Sequence, residues 1–386
     1  MKKKIIAAIL FVLMGTTGLI QNRLFAIDIV LTPPTYEGEH SDILNSEMAK
    51  LFDDFKSEIG DALGGISDIQ SSLIKGFANT TVFSSAGATQ RTFYGYKTFG
   101  ATIGAMGSLQ FPRNPITLIK DITSALGSFG DDLSDFDDFF DKLGVTGNNN
   151  FGVDIQPLNA QFGLNTSKFL LDGLYLGLKL GYMKLDFSPY VTYGNFSAGL
   201  LGNYQIFKHR SLGKNLFVWR GLNAGTGIIY QNTNLDFKYS LNSEIVNIPI
   251  NGENVSPILE MNLLLDWKSS SFTIPIEAMT SVRLLGFLNI PLGLGVDIGF
   301  GKSNMLISGS IDNISFASSE LPFDLREKTP GYIEVSLQGN ESSSIFHPKL
   351  MSGIGFSLGP VVIDFPITYY FTENGFNAGL TIGVIR

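Results

Sequence analysis

Leu292-Gly-Leu-Gly-Val-Asp-Ile-Gly-Phe300 is the stretch on which the fold turns. Successive side chains of a strand point to opposite faces, so Leu292, Leu294, Val296, Ile298 and Phe300 share one face and Gly293, Gly295, Asp297 and Gly299 the other. A soluble β-sandwich turns its second face to water and covers it with Lys, Glu and Thr. Here that face is mostly glycine. An apolar face toward lipid and a small or polar face toward a crowded lumen is the pattern of a membrane barrel. The same alternation recurs at Leu174–Met183, Leu259–Trp267 and Phe376–Val384.

The whole chain agrees with this reading. Its 386 residues are 44% hydrophobic and only 16% charged, with 43 Gly, 31 Phe and no Cys. An ordinary soluble domain carries roughly 25% charged residues. Yet nothing after the N-terminus offers the roughly 18 consecutive apolar residues of a spanning helix. With 27 basic against 35 acidic residues, the balance argues against a nucleic-acid partner. The lack of cysteine excludes disulfides, thiolate metal sites and a lipid-modified Cys.

Twelve strands can be placed, at 92–110, 152–165, 173–186, 194–207, 216–232, 256–268, 272–286, 289–301, 304–315, 346–358, 361–371 and 376–385. Segments 237–250 and 332–337 offer one more pair. The expected fold is an all-β transmembrane antiparallel barrel of 12–14 strands with a small helical N-terminal plug. Ser269–Ser271, Lys302-Ser303 and Gly359-Pro360 read as short turns, and 111–151, 233–255 and 316–345 as long loops. Short turns face the periplasm and long loops the exterior in bacterial outer-membrane barrels. The expected location is therefore the outer membrane, with both termini periplasmic.

Residues 1–26 read as a signal peptide, with Lys2, Lys3 and Lys4 before an apolar run from Ile5 to Met14. Residues 27–90 form the second unit, a helical segment and hatch, and 91–386 the barrel. Ile43, Leu44, Met48, Leu51, Phe52, Phe55 and Ile59 recur at helical steps, and Gly64-Gly65 marks a stop before a second short helix. The stretch Phe77–Gln90 keeps neither period and is mostly small residues, as a folded-back segment in a confined lumen requires. Acid is concentrated in 27–75 and 112–150. Within the latter, Asp131–Asp141 lacks the ligand spacing of a calcium loop and suits an acidic amphipathic helix.

The exported N-terminal segment, the small-residue stretch before the first strand and the Phe- and Gly-rich barrel together resemble the FadL-type long-chain fatty acid transporters. Gly359-Pro-Val-Val-Ile-Asp-Phe-Pro366 is closest in style to spirochaete members, some of which are described as surface adhesins. The likeness is architectural and spans roughly 27–386. It implies a fatty acid held in the barrel, a mobile N-terminal hatch and release through a gap in the wall. Two features depart from that group: the acidic helical segment before the hatch, and an end, Val384-Ile385-Arg386, without a terminal aromatic. The second bears on how the barrel-assembly machinery reads the last strand.

Enzyme chemistry has no footing in the sequence. His40, His209 and His347 lie in unrelated segments, and neither a GxSxG elbow nor a Walker loop is present. No cofactor or metal is expected. A fatty acid needs apolar contact for its chain and a donor for its carboxylate. Phe77, Val82 and Phe83 are candidates for the first; Asn79 or Gln90 for polar anchoring; Lys179 and Arg283, both at lumen parity, for the carboxylate. The opposing reading makes the aromatics plug packing and pairs the bases with Glu260, Asp266, Glu277 or Asp297. The partners expected are a long-chain fatty acid or other hydrophobic ligand, outer-membrane lipid and the assembly machinery. A second function, adhesion to extracellular host proteins, would work through the long acidic loop 111–151.

Overall fold

The computed structural model describes residues 26–38, 41–86, 97–111, 150–167, 169–212, 216–244, 248–250, 253–255, 257–316 and 326–386. The signal-peptide reading, Gln90 and most of the 111–151 loop lie outside these residues. Two short strands, β1 (Ala26–Thr32) and β2 (Thr35–Glu37), precede a single 46-residue helix, α1 (Ser41–Ala86). The wall follows as β3 (Phe99–Gln110), β4 (Gly152–Asn165), β5 (Leu174–Ser188), β6 (Val191–Phe207), a short β7 (Arg210–Leu212) and β8 (Phe217–Glu244). A small ribbon, β9 (Ile248–Ile250) and β10 (Glu253–Val255), leads to β11 (Pro257–Leu284) and β12 (Leu288–Phe316). The chain ends with β13 (Arg326–Thr329), which pairs with β2, then β14 (Gly331–Ser342), β15 (Phe346–Leu358), β16 (Val361–Tyr370) and β17 (Gly375–Ile385).

Ten of these close a ring of antiparallel strands, β12-β11-β8-β6-β5-β4-β3-β17-β16-β15, sealed by the pairing of β15 with β12. The fold is the expected all-β membrane barrel, with ten strands in the ring rather than 12–14. The excess came from two false turns. Ser269–Ser271 lies inside the continuous strand β11, and Lys302-Ser303 inside β12. The supposed loop residues 233–244 continue β8, and 331–342 form β14, which pairs with the upper part of β12 and runs on into β15.

Strand lengths divide the molecule into two levels. β16 and β17 have 10 and 11 residues, about the length a tilted strand needs to cross the hydrocarbon core. β8, β11 and β12 have 28, 28 and 29. Their upper halves, joined by β14 and β1, stand above the shorter strands as a tall wall. At the lower level the exposed side chains are apolar, including Leu176, Leu178, Leu200, Ile276, Leu292, Leu294, Ile367 and Leu380. Phe300, Phe272 and Tyr230 fall in one register row, and Phe196 continues it beside Tyr230. This row is the upper aromatic girdle of the lipid belt. Above it the outward residues include Lys268, Lys302, Asn304, Lys238, Glu334 and Asn340, all exposed.

The last strand ends among the short turns, where Thr98 and Phe99 donate to the Arg386 carbonyl. β1 does not. Its Ala26 pairs with Gln338, itself level with Leu306, above the girdle. The two ends of the described chain therefore lie on opposite sides of the belt. An even-stranded barrel returns its own ends to one side, but a leading segment can cross before the first ring strand begins.

From β2, α1 descends along the tall wall into the ring. Its entry is fixed by Asn45, whose amide exchanges both hydrogen bonds with the Tyr36 backbone, at 2.8 and 3.1 Å. Leu44, Met48 and Phe52 are buried on its apolar stripe. Lower down, Ser71 bonds Glu341 at 3.0 Å, and Phe77 lies on Trp267 with ring centroids 3.8 Å apart. The helix passes through Gly64-Gly65, at a cost of about 1 kcal/mol per glycine relative to alanine.

Candidate functional site

The site is the lumen around the lower tip of α1, residues Ala78–Ala86, every one of them buried. Asn-Thr-Thr-Val-Phe-Ser-Ser is a poor helix former, because its hydroxyls and β-branches favour other conformations. It is helical here because those hydroxyls turn back on the helix. Thr80 donates to the Gly76 carbonyl, Thr81 to Phe77, Ser84 to Thr81 and Ser85 to Val82. The absence of a period in 77–90 had suggested an irregular fold-back; up to Ala86 the segment is helix, because the wall replaces the propensity that the sequence lacks.

A helix end leaves carbonyls without intrahelical donors and a partial negative charge. The wall answers both. Ser271 donates to the Thr81 carbonyl at 3.2 Å and Asn377 to Phe83 at 3.3 Å, with the Tyr370 hydroxyl also 3.4 Å from the Phe83 carbonyl. The Lys179 ammonium donates to the Ser85 carbonyl at 2.5 Å. Side chains add Asn79 to Gln110 at 2.9 Å, Thr81 to Ser269 at 2.7 Å and Ser85 to Thr273 at 2.8 Å. The Asn79 carbonyl also accepts from the Ser344 backbone, at 2.9 Å.

Close approach is possible because the facing wall is glycine. A Cβ at Gly299 would sit 2.6 Å from Val82, one at Gly301 2.6 Å from the Ala78 carbonyl, and one at Gly375 2.4 Å from the Phe83 ring. Phe83 is sandwiched into an aromatic corner, stacked on Tyr370 at 4.0 Å and edge-on to His347 at 5.3 Å. Beneath it is a buried ionic cluster. Lys349 contacts Glu277 and Asp297 at 2.6 Å each, and Tyr370 donates to Asp297 at 3.0 Å. His347 lies 3.3 Å from Glu373. Gly295 is what lets Lys349 lie across β12 to Glu277, since a Cβ there would meet the Lys349 stem at 3.2 Å.

Of the residues singled out from the sequence, Phe77, Asn79, Val82, Phe83 and Lys179 meet around this tip. Arg283 does not. It pairs in register with Asn289 close to the short-turn end, two turns of alternation below Met279. The carboxylates proposed as partners also divide. Glu277 and Asp297 bind Lys349, a residue sequence reading passed over although it has lumen parity on β15, while Asp266 binds Lys268 at 2.5 Å on the tall wall. Asp154 and Tyr370 were passed over too, and His347 was weighed only as a metal ligand. Their signal was parity within Asp154–Asn159, His347–Met351 and Val362–Tyr370, small against the apolar alternation beside it.

A family profile described as Lsa36-like matches residues 27–385, nearly all of the chain. The chain belongs to the Lsa36-like family. No curated protein matches this Lsa36-like chain. Among solved structures, the toluene transporter TbuX of Ralstonia pickettii aligns over 81% of this chain and 99% of its own, at 9% identity and a TM-score of 0.23. A FadL homologue of Pseudomonas aeruginosa aligns over 81% and 96%, at 9% identity and a TM-score of 0.20. The attachment invasion locus protein Ail of Yersinia pestis aligns over 74% and 96%, at 10% identity and 0.22. Likeness this loose carries no argument, and the barrel of the Lsa36-like protein stands on its own closed register.

Proposed function

We propose that this protein is an outer-membrane barrel for uptake of hydrophobic small molecules, long-chain fatty acids foremost, with α1 as its movable stopper. The observation that carries the reading is the chemistry of the seal. Between the helix tip and the wall run hydroxyl–hydroxyl and amide–amide bonds, such as Thr81–Ser269 and Asn79–Gln110, beside one apolar corner of Val82, Phe83 and Tyr370. Bonds of that kind exchange with water at little net cost, so the tip can withdraw. Withdrawal would free the Val82–Phe83–Tyr370 corner for an acyl chain and Lys179 for a carboxylate in place of the Ser85 carbonyl. The long loops then face outside, the last strand ends in the periplasm, and α1 enters from the exterior side.

Native mass spectrometry of the folded protein in detergent, with added oleate, tests this. One bound oleate in the full chain, lost in Lys179→Gln combined with Phe83→Ala, is the expected result. An unchanged spectrum in the double variant removes the tip from the site. No oleate on the full chain ends the fatty-acid reading.

A second reading rests on a different observation. The tall wall presents a polar, mixed-charge outer face above the girdle, including Lys268, Lys302 and Glu334. Such a surface suits adhesion to a host or matrix protein, and the acidic 111–151 segment of the sequence suits the same role, with binding that falls as salt rises. Deleting 128–143 with no loss of partner binding would remove the loop from that reading.

A further inference from the structure

We propose that the outer face of the wall, just above the aromatic girdle, holds the headgroup of an aminophospholipid of the phosphatidylethanolamine class. Along β5, β6 and β8 the outward residues change chemistry over three register rows. The first row is Tyr182, Phe196 and Asn232, the second Lys184, Gly194 and Asn234, and the third Asp186, Thr192 and Asp236. Tyr182 and Phe196 are exposed, and Phe196 lies 6.3 Å from the girdle ring of Tyr230. Leaving the lipid belt, the wall is therefore aromatic, then basic, then acidic. Gly194 opens this surface. It stands in register between Lys184 and Asn234, and a Cβ there would have nothing within 4 Å. The result is a hollow of about 210 Å³ whose lining holds one cation, Lys184, and one carboxylate, Asp236, with the amides of Asn232 and Asn234 between them and Phe196 at the lipid side.

These polar groups are available to a ligand. Among the described residues the side chains of Asn232, Asn234 and Asp236 make no hydrogen bond or ion pair. The cation nearest in register, Lys268 beside Asn234, is bonded to Asp266 at 2.5 Å. Lys184 lies 3.9 Å from Asp186, too far for a hydrogen bond, and Asp186 accepts from Thr192 at 2.9 Å. A phospholipid of this class presents, outward from its acyl chains, a phosphate and then a primary ammonium. The wall offers the complement in the same order: rings for the upper acyl carbons, the Lys184 ammonium and the two amides for the phosphate, and the Asp236 carboxylate for the amine. Two residues along a strand span about 6.8 Å, so the basic and acidic rows are spaced for the two charges of one headgroup. A choline headgroup has no N–H to donate to Asp236. A glycerol headgroup brings no positive charge to it.

The site lies on the outside of the wall, and the inference is independent of what crosses the lumen. The test is native mass spectrometry of the full chain in detergent, titrated in turn with phosphatidylethanolamine, phosphatidylcholine and phosphatidylglycerol of identical acyl chains, and with soluble phosphoethanolamine. One retained phosphatidylethanolamine is expected, held about tenfold more tightly than either other lipid, the worth of one hydrogen bond to a charged group. Asp236→Asn should erase the preference over phosphatidylcholine, Lys184→Gln should weaken all three lipids, and Gly194→Leu should fill the hollow and remove the bound lipid. Equal retention of the three lipids overturns the proposal, as does a preference that survives Asp236→Asn. Tightest binding of phosphatidylglycerol overturns the zwitterionic assignment and leaves a merely basic surface. Saturation by soluble phosphoethanolamine at the same concentration overturns the lipid as the ligand. The comparison of the three lipids uses the unaltered protein, so it decides even where a variant does not fold.

Discussion

Strand β12 is built one way below the girdle and the opposite way above it. Up to Phe300 its even-numbered residues are apolar and face out, while Gly293, Gly295, Asp297 and Gly299 face the lumen. Above Ser303 the buried apolar residues stand at odd positions instead. Met305 and Ile307 are buried inward, and Asn304 and Ser308 face out. β11 makes the same change between Trp267, buried and inward, and Phe272, exposed and outward. The backbone does not break at either place. What changes is the solvent outside, from hydrocarbon to water, and with it the inside, from a polar lumen to an apolar face that packs α1. A reversal of hydrophobic phase within a strand can thus mark a membrane surface as readily as a turn.

The largest effects should come from putting charge into the lower half. Leu294→Arg, near mid-belt on β12, is expected to destabilise by about 2–4 kcal/mol in reversible unfolding into lipid. Ser308→Arg, also outward on β12 but above the girdle, should stay within about 0.5 kcal/mol. Equal costs would break the comparison and place the lipid boundary elsewhere. Ile307→Ala tests the upper half from inside, where loss of a fully buried side chain should cost about 2–4 kcal/mol. A cost near zero there would show that the tall wall has no packed inner face.

Overpacking the seal should have a somewhat smaller effect. Gly299→Val sets a branched side chain against Val82 and should cost about 1–3 kcal/mol. It should also raise single-channel conductance in planar bilayers, because the strain is relieved by lifting the tip. A silent bilayer with unchanged stability would mean that α1 and β12 do not press together.

The smallest effect belongs to the turns. Asp172 and Lys208 form an exposed pair at 2.6 Å, and the Lys208 ammonium holds the Asp172 carboxyl below its ordinary range. With a lowered folded-state value, any stabilisation is present above the ordinary carboxylate pKa and disappears as pH falls through the lowered one. Lys208→Ala should return the Asp172 titration, followed by NMR, to the ordinary carboxylate range, with no measurable change in stability. A clear loss of stability would make this turn more than a solvated connection.

Much of the lower half is legible in sequence, because lipid outside imposes a strict alternation on strands such as Leu174–Met183 and Phe376–Val384. The glycine face of Gly293–Gly299 likewise announces a close neighbour, which proves to be Val82 at Gly299. The upper half is misread for a physical reason: its alternation is inverted, and pattern alone cannot distinguish an inversion from a reversal of the chain. Within the candidate site, Phe77, Asn79, Val82, Phe83 and Lys179 were legible as small, apolar or basic groups out of place. Lys349 was not, because a lone basic residue in a strand says nothing about the partner it crosses a neighbouring strand to reach.

The sequence by itself determined the membrane barrel and the two faces of its lower wall, since hydrocarbon on one side and a crowded lumen on the other act on each strand locally. It also determined that an N-terminal segment must bury its apolar stripe. Only the tertiary structure decided the ring of ten, the tall wall and the helical state of Asn79–Ser85. Those depend on which strands pair along which part of their length. They depend also on side chains such as Lys179, Tyr370 and Asn377, which reach the helix end from strands far away in the chain.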